Sequence, residues 1–216
     1  ERATGRELFI KTGVLSVGSE KSDFIQNTIS SAKKYSLPLE VFDSSKVHKR
    51  WSGITIPNDF IGCFEPTSGV LKCEESIKAY QELAELNGAT ILTNSRVRRI
   101  SIKDGRVTIK TDERDYHSES LVISAGAWSG NLLSMLDLEL PLSPVRKTFA
   151  WYHAIENIYN HNNFPAFAFE TPRGLYYGFP SIDGSGLKVG RHDGGNQVNP
   201  DEPIVGFGEL AEDQGD

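Results

Sequence analysis

The chain has 216 residues, of which 38% are hydrophobic and 24% charged, and its formal net charge is −6. This composition is ordinary for a globular protein with one large domain or two small ones. Its negative charge offers no attraction to nucleic acid or to an anionic membrane surface, and no apolar run approaches the roughly 20 residues of a membrane-spanning helix. We therefore expect neither a nucleic-acid partner nor a membrane partner.

The N-terminal residues contain no apolar core of the signal-peptide type, and the chain opens on Glu1 rather than on Met. We expect a cytoplasmic protein whose natural start lies upstream. Cys63 and Cys73 form no CxxC motif, and the five histidines are scattered along the chain. The sequence therefore favours neither a disulfide nor a metal site.

The first 70 residues combine strand and helix patterns. Residues 8–17 predict one strand or two short ones around Gly13, and residues 37–42 predict another. Helical spacing predicts a helix over residues 21–35 that begins at Ser22-Asp23, and a short helix over residues 44–51 with Ser44 as its cap. Residues 52–68 contain Pro57, Gly62 and Pro66, which indicate a loop with short strands.

The central block has a different character. Residues 73–87 predict an amphipathic helix that ends at Gly88, and a strand over residues 90–93 follows. The Asp104-Gly105 pair predicts a hairpin between strands 96–102 and 106–111. A strand over residues 121–124 then leads into a helix that begins near Trp128. This succession is typical of α/β architecture.

Beyond Pro141, prolines separate aromatic runs such as residues 149–153 and 167–170, which favour strands of an antiparallel sheet. We therefore expect a mixed fold of the α+β and α/β kinds. An antiparallel sheet with helices would take residues 1–70 and 140–200, and part of a nucleotide-type α/β domain would take residues 71–139. Residues 201–216 form a weakly patterned acidic tail.

Residues 174–192 read as a strand, a glycine-rich turn and a second strand. A turn centred on Asp183-Gly184 fixes the cross-strand pairs, because side chains alternate between the faces of a strand. The predicted pairs are Phe179 with Lys188 and Tyr177 with Gly190. The predicted shared face carries Tyr177, Phe179, Lys188 and His192.

The side chains on this face are suited to lining a substrate-binding site. Lys188 offers positive charge where negative charge develops, as on reduced oxygen, and His192 can exchange a proton near neutral pH. Tyr177 can hydrogen-bond a polar substrate group. The alternative from spacing alone is a solvated sheet face with an extended lysine and a surface histidine.

A second motif is the apolar run 121–123 followed by Ser124-Ala125-Gly126-Ala127-Trp128. Small residues at the end of a strand let the backbone approach a flat or phosphate-bearing group closely. The alternative is a strand-to-helix turn that uses small residues only for packing.

Several segments together carry a family resemblance, from about Phe9 to Pro200. They are Lys11-Thr12-Gly13-Val14-Leu15, Arg50-Trp51-Ser52-Gly53-Ile54, Phe64-Glu65-Pro66-Thr67-Ser68-Gly69-Val70-Leu71, Ala79-Tyr80-Gln81-Glu82-Leu83-Ala84, Ser124-Ala125-Gly126-Ala127-Trp128, Tyr176-Tyr177-Gly178-Phe179-Pro180 and Gly186-Leu187-Lys188-Val189-Gly190. In this order and spacing the chain resembles the monomeric sarcosine oxidase family, the FAD-dependent oxidases of N-methyl amino acids within the D-amino-acid-oxidase-like superfamily.

The resemblance implies roles for these residues. Lys188 would assist oxygen reduction near the flavin, and His192 and Tyr177 would border the substrate amine. The backbone at Val97 would lie against the adenine part of FAD, and Ser124, Ala125, Gly126 and Trp128 would line the dinucleotide. By the same resemblance, the substrate domain would comprise residues 1–70 and 140–200, and part of the FAD-binding domain would comprise residues 71–139.

Some family hallmarks are absent. No GxGxxG opens the chain, and the family's carboxylate-gripping arginine, flavin-tethering cysteine and second lysine fall outside these residues. Cys63 and Cys73 do not match the tethering context. Residues 191–195 are more polar than the family pattern, which could alter substrate preference. We expect a central fragment that is inactive alone and does not retain FAD.

For the full-length protein the resemblance implies FAD-dependent oxidation of a secondary amine, such as sarcosine or another N-methyl amino acid. The amine and O2 would give an imine and hydrogen peroxide, and we expect a monomer. One alternative is a flavin oxidase or dehydrogenase of primary or cyclic amino acids. Another, for the truncated form, is a non-catalytic folded module.

Overall fold

The computed structural model describes residues 1–209. The helices are α1 Asp23–Lys34, α2 Ser44–Arg50, α3 Cys73–Leu86, α4 Ser129–Ser134 and α5 Glu156–Tyr159, with a 3-10 turn at Gly126–Trp128. The strands are β1 Phe9–Ile10, β2 Val14–Ser19, β3 Glu40–Asp43, β4 Phe60–Glu65, β5 Val70–Leu71, β6 Val97–Lys103, β7 Arg106–Thr111, β8 Asp115–Ser118, β9 Val145–Arg146, β10 Phe149–Tyr152, β11 Ala166–Thr171, β12 Gly174–Phe179, β13 Leu187–Arg191 and β14 Asn196–Gln197. Among these described helices, none is long and apolar enough to cross a membrane.

The chain divides into two compact units. In the described residues, unit 1 comprises residues 1–83 and 147–194, and unit 2 comprises residues 84–146 and 195–209. The predicted boundaries at 70 and 140 therefore differ from the unit boundaries, and most of helix α3 belongs to unit 1. Residues 201–209 of the predicted tail belong to unit 2, and residues 210–216 lie outside the described residues. The assignment of the units to substrate and FAD domains stays a prediction.

Unit 1 is built on a seven-stranded sheet in the order β10-β13-β12-β11-β2-β4-β3. Neighbouring strands are antiparallel except β2 and β11, which run parallel. The mixed, largely antiparallel fold expected from the sequence is confirmed. Non-consecutive neighbours such as β10 and β13 bring distant parts of the chain side by side, which positions the site described below.

Helices α1 and α2 cover opposite faces of this sheet. A Cβ atom on Gly18 would lie 3.1 Å from Ile25 of α1, whereas one on Gly62 would lie 2.8 Å from Val47 of α2. The hydrophobic core lies on the α2 face, because alternate residues of β2 point that way. Its buried members are Leu15, Val17, Val47, Trp51, Ile54, Ile56, Phe64, Phe164 and Phe167.

Local signals predicted the start of α1 correctly and placed the cap of α2 one residue too late. Ser22 accepts the Ile25 N–H at 3.3 Å, as the predicted cap requires. Helix α2 is capped by Asp43 instead of the predicted Ser44, since Asp43 has an extended backbone and accepts the Lys46 N–H at 2.9 Å. Strand β4 agrees with the short strands predicted within residues 52–68, and its pairing with both β2 and β3 stabilises it.

Unit 2 contains a three-stranded antiparallel sheet, β6-β7-β8, and the short pair β9-β14. The predicted hairpin at Asp104-Gly105 is confirmed, and both residues have the positive φ angles of 51° and 73° that a type I′ turn needs. Strand β8 was not predicted. Its four residues carry little apolar pattern and form a strand because β7 offers a free edge.

Two predicted strands of the central block are not formed. Residues 90–93 and 121–124 belong to no strand and pair with none in the described part of the chain. Their apolar side chains are partly or largely exposed, with Val122 at 85% of its accessible surface. A strand needs a hydrogen-bonded neighbour, so an apolar run alone was insufficient evidence for one.

Candidate functional site

The hairpin β12–β13 has the predicted register. Phe179 pairs with Lys188 and Tyr177 with Gly190. Asp183 and Gly184 occupy the turn with φ angles of 55° and 76°, and the Ser185 N–H donates to the Ile182 carbonyl at 3.1 Å. Positive φ at both central residues gives a type I′ turn, whose twist matches the flanking strands.

A buried serine fixes this hairpin to the adjoining segment. The Ser181 hydroxyl, with 1% of its residue surface exposed, donates to Glu156 Oε1 at 2.6 Å and accepts the Gly186 N–H at 3.0 Å. The Ser181 N–H donates to the Tyr159 carbonyl at 2.8 Å. These bonds hold both strands at the turn, and therefore hold the register.

Tyr177 and His192 lie on one face of the hairpin. Their ring centroids are 6.4 Å apart with planes at 88°, and the Tyr177 and Phe179 centroids are 5.9 Å apart. Gly190 leaves room for these rings, since a Cβ there would come within 3.0 Å of the Tyr177 hydroxyl and 2.9 Å of Phe149. The tyrosine and histidine predicted from the sequence are thus neighbours.

Lys188 lies on the same face and is surrounded by aromatic rings. Its ammonium is 4.1 Å from the ring centroid of Phe149, 4.9 Å from that of Trp151 and 5.7 Å from that of Phe179. Strand β10 supplies the first two rings because it pairs with β13, with Trp151 opposite Lys188. Sequence reasoning missed both rings as site residues, although their alternate spacing in a predicted strand was a usable signal.

A cavity of about 410 Å³ opens beside Lys188. Its sheet side includes Trp151 and Phe179, and residues 70–75 line its other side. Cys73 is exposed there, whereas burial raises the pKa of the Cys63 thiol to about 11. Besides its apolar residues, the lining contains two lysines and three carboxylates, which are Lys72, Lys188, Glu74, Glu75 and Asp183. A cavity of this size that combines apolar surface with a few polar groups is typical of small-molecule sites.

Asp193 holds the far end of β13 beside His192. Its Oδ1 accepts the Arg191 Nε–H at 3.0 Å and the Leu175 N–H at 3.1 Å. The hydrogen bond from Arg191 is the main reason that the pKa of the Asp193 carboxyl is lowered. The polar segment 191–195, noted in the sequence as unusual, therefore has a structural role in ordering the end of the hairpin.

Unit 2 has its own cavity, of about 600 Å³. It is lined by Arg96, Val97, Ala125, Trp128, Asn131, Leu132, Met135, Pro200 and Asp201. Three of the five residues predicted for cofactor binding line it, and Ser124 and Gly126 do not. Its apolar wall and polar rim fit an aromatic group that carries hydroxyls, such as the adenosine part of FAD.

Asp201 anchors the return segment of unit 2 at this cavity. Its carboxylate contacts Arg96 Nη2 at 3.2 Å and accepts a hydrogen bond from Asn131 Nδ2 at 2.7 Å. The Trp128 indole N–H donates to the Pro200 carbonyl at 3.0 Å. Sequence reasoning placed Asp201 in an unpatterned tail, and only the fold brings it beside residues 70 positions or more away.

The geometry can be compared with known protein families. A sequence profile described as FAD dependent oxidoreductase, DAO, matches residues 1–212. The chain belongs to this family. The resemblance stated from the sequence motifs is therefore confirmed at the level of the family.

Similar proteins of established name cover nearly the whole chain. Monomeric sarcosine oxidase of Bacillus sp. (strain B-0618) is 42% identical over 99% of this chain and 55% of the relative. N-methyl-L-tryptophan oxidase of Escherichia coli (strain K12) is 39% identical over 95% of this chain and 54% of the relative. The chain thus spans about half the length of these relatives.

Solved structures share the fold. L-proline dehydrogenase from P. horikoshii gives a TM-score of 0.77 at 18% identity, covering 95% of this chain and 54% of that one. Glycine oxidase from Geobacillus kaustophilus gives a TM-score of 0.75 at 16% identity, covering 94% of this chain and 53% of that one. At this identity the likeness establishes the architecture and leaves the substrate open.

Proposed function

We propose that the full-length protein is an FAD-dependent oxidase of secondary amines, with sarcosine and other N-methyl amino acids as the substrate class. The observation that carries the proposal is the hairpin face that Tyr177, Lys188 and His192 share, on which Lys188 lines a cavity of unit 1 and Tyr177 and His192 lie outside its lining. Family membership and the two named relatives support the same reaction class.

The reaction removes two electrons and two protons from the amine, giving an imine, and passes them to O2, giving hydrogen peroxide. FAD, when bound, supplies the two-electron chemistry that side chains lack. In the proposal, Tyr177 hydrogen-bonds the substrate and His192 exchanges a proton beside the amine. Lys188 provides positive charge where oxygen becomes negative.

Unit 2 is proposed as part of the FAD-binding domain. Val97 and Ala125 would contact the adenine end of FAD, and Trp128 would close the wall of the cavity they line. Ser124 and Gly126 remain proposed backbone neighbours of the dinucleotide, on the strength of the motif. Unit 1 is proposed as the substrate domain. The protein is proposed to be a monomer, because the similar sarcosine oxidases are named as monomeric.

The experiment uses the full-length protein that contains this segment. Its visible spectrum is recorded before and after anaerobic addition of sarcosine, N-methyl-L-tryptophan, glycine and L-proline in turn. Bleaching of a flavin band by N-methyl amino acids alone is the expected result. Bleaching only by glycine or proline would move the substrate to primary or cyclic amino acids, and absence of flavin would contradict the proposal.

Lys188→Met tests the oxygen role in the same preparation. Anaerobic flavin reduction by the amine should persist, whereas reoxidation by O2 should slow by about a hundredfold, since one preorganised charge is lost. Stopped-flow absorbance measures the two steps separately. Lys33→Met, on helix α1, is the control and should leave both steps unchanged; equal slowing of both steps by Lys188→Met would contradict the assignment.

A further inference from the structure

Two rings of strand β10 account for the placement of the Lys188 ammonium. Phe149 and Trp151 project from alternate positions of this strand onto the face of β13 that carries Lys188. Their ring centroids lie 4.1 and 4.9 Å from the Lys188 Nζ atom. A cation within about 6 Å of an aromatic face is attracted by the quadrupole of the ring. The two rings therefore favour one position of an otherwise flexible side chain.

The charge of Lys188 is not neutralised by this arrangement. Within the described residues, its ammonium makes no ion pair with a carboxylate, and three aromatic rings are its neighbours. A carboxylate would place a negative charge beside the ammonium and reduce its effect on an incoming anion. Glu74, Glu75 and Asp183 also line the cavity, but in the described part of the chain the contacts that hold the Lys188 ammonium are with aromatic faces and include no direct ion pair with a carboxylate.

Unit 1 contains a contrasting cation. The Arg50 guanidinium lies 4.4 Å from the ring centroid of Phe64 and 4.8 Å from that of Trp51, and it also pairs with Glu40 at 2.8 Å. That cation has both rings and a countercharge, as expected for a structural cation. Lys188 has the rings without the countercharge, as expected for a cation that acts on a ligand.

The β10 rings lie outside the core of unit 1. Trp151 is 54% exposed and Phe149 is 45% exposed, so neither is a core residue. Tyr152, the next residue of β10, is also 54% exposed but points to the opposite face, because side chains alternate along a strand. Strand β10 therefore supplies an internal comparison: two equally exposed rings, of which only Trp151 contacts Lys188.

We propose that Phe149 and Trp151 are positioning residues for the oxygen half of the reaction: they hold the Lys188 ammonium over the cavity in its charged, unpaired form. The inference rests on the proposed function, since it assigns these rings to the step in which Lys188 meets reduced oxygen. Neither ring is assigned a contact with the amine.

The kinetic test compares aliphatic and aromatic replacements in the full-length, flavin-loaded protein. Trp151→Leu and Phe149→Leu should each slow flavin reoxidation by O2 about fivefold, with anaerobic reduction by the amine unchanged. Trp151→Phe and Phe149→Tyr keep a ring and should stay within about twofold of the parent. Tyr152→Leu is the control and should change neither step.

A second readout does not depend on turnover. The ε-methylene protons of Lys188, assigned by loss of their signal in Lys188→Met, should resonate upfield in a carbon–proton correlation spectrum because they lie near ring faces. Trp151→Leu should reduce this upfield shift, and Tyr152→Leu should leave it in place. The spectrum can be recorded on the full-length protein whether or not it carries flavin.

The outcomes separate the two proposals. A flavin that no amine reduces would contradict the proposed function. The carbon–proton correlation spectrum would still decide whether the rings hold Lys188. Equal slowing by leucine and aromatic replacements would show that shape, not the ring quadrupole, matters, and would overturn the inference. Unchanged reoxidation in both leucine variants, or an unshifted Lys188 signal in the parent, would overturn it as well.

Discussion

Glu65, in one of the motifs that carry the family resemblance, orders the loop that follows strand β4. It ends strand β4, and its carboxylate accepts the Thr67 N–H at 2.7 Å and the hydroxyl protons of Thr67 and Ser68. The Ser68 carbonyl in turn accepts the Gly13 N–H at 2.8 Å. The Phe-Glu-Pro segment therefore fixes the loop that follows β4 against the start of β2.

Glu65 also predicts a pH dependence of stability. Burial raises the pKa of its carboxyl, but hydrogen bonds from Ser68 and Thr67 outweigh this effect, and the pKa is lowered from 4.5. A lowered folded-state pKa means that the carboxylate stabilises the fold above about pH 4.5, and that this stability is lost as the pH falls through the folded-state pKa.

Glu65→Gln should thus lower the free energy of unfolding at pH 7 by about 1 kcal/mol. The difference in unfolding free energy between the variant and the parent should shrink as the pH falls below about 4.5. Urea denaturation at a series of pH values measures both effects. Glu20→Gln, an exposed residue of unit 1, is the matched control. A difference that stays constant with pH would contradict the assignment of the effect to the ionised carboxylate.

The hairpin β12–β13 is the element in which sequence and structure agree best. Its Asp-Gly turn and alternating strands fix the pairs through local chemistry, so the register follows from neighbouring residues. Ser181 adds a non-local restraint through Glu156, which is 25 positions away. Only the fold reveals that restraint, because no spacing rule links a turn serine to that glutamate.

Ser181→Ala should destabilise the hairpin more than a surface serine change does. It leaves the buried Gly186 N–H without its acceptor, which costs about 2 kcal/mol. Thermal unfolding gives the loss of stability, and hydrogen exchange at Gly186 should accelerate. Ser52→Ala, at an exposed turn position of unit 1, is the comparison and should have an effect within about 0.5 kcal/mol. Equal effects of the two substitutions would remove Ser181 as the residue that fixes the register.

Strand β10 marks the limit of local reasoning about the site. Its aromatic pattern predicted a strand over residues 149–153, and the structure has Phe149–Tyr152. Its place beside β13 is set by the order of strands in the sheet, which periodicity does not encode. For this reason Lys188 was predicted as a site residue from its hairpin, whereas the rings that hold it were not.

The two units differ in the size of their buried cores. In the described residues, unit 2 contributes Ile100 and Val107 to the buried hydrophobic set, and unit 1 contributes the remainder. Both unit 2 residues lie in the β6–β7 hairpin. Segments 90–93 and 121–124 keep their apolar side chains partly exposed, so they add little to this core. A smaller core gives less stability, since burial of apolar surface is the main favourable term.

Hydrogen exchange of the 216-residue chain should reflect this difference. Amides of β6, β7 and β8 should exchange at least about tenfold faster than those of β2, β4 and β11, because opening unit 2 exposes less apolar surface. Mass spectrometry of peptides from each unit measures the rates. Equal protection of the two sheets would contradict the prediction.

The sequence by itself determined the features that neighbouring residues control: helices α1 and α3, the two Asp-Gly hairpins, the face shared by Tyr177 and Lys188, and the family. The tertiary structure decided which strands have partners. It placed β4 inside the sheet and brought Phe149 and Trp151 to Lys188, and within residues 1–209 it gave residues 90–93 and 121–124 no strand partner. The physical reason is that turns and helix caps are satisfied within a few residues, whereas a strand or a cation site is completed by groups far away in the chain.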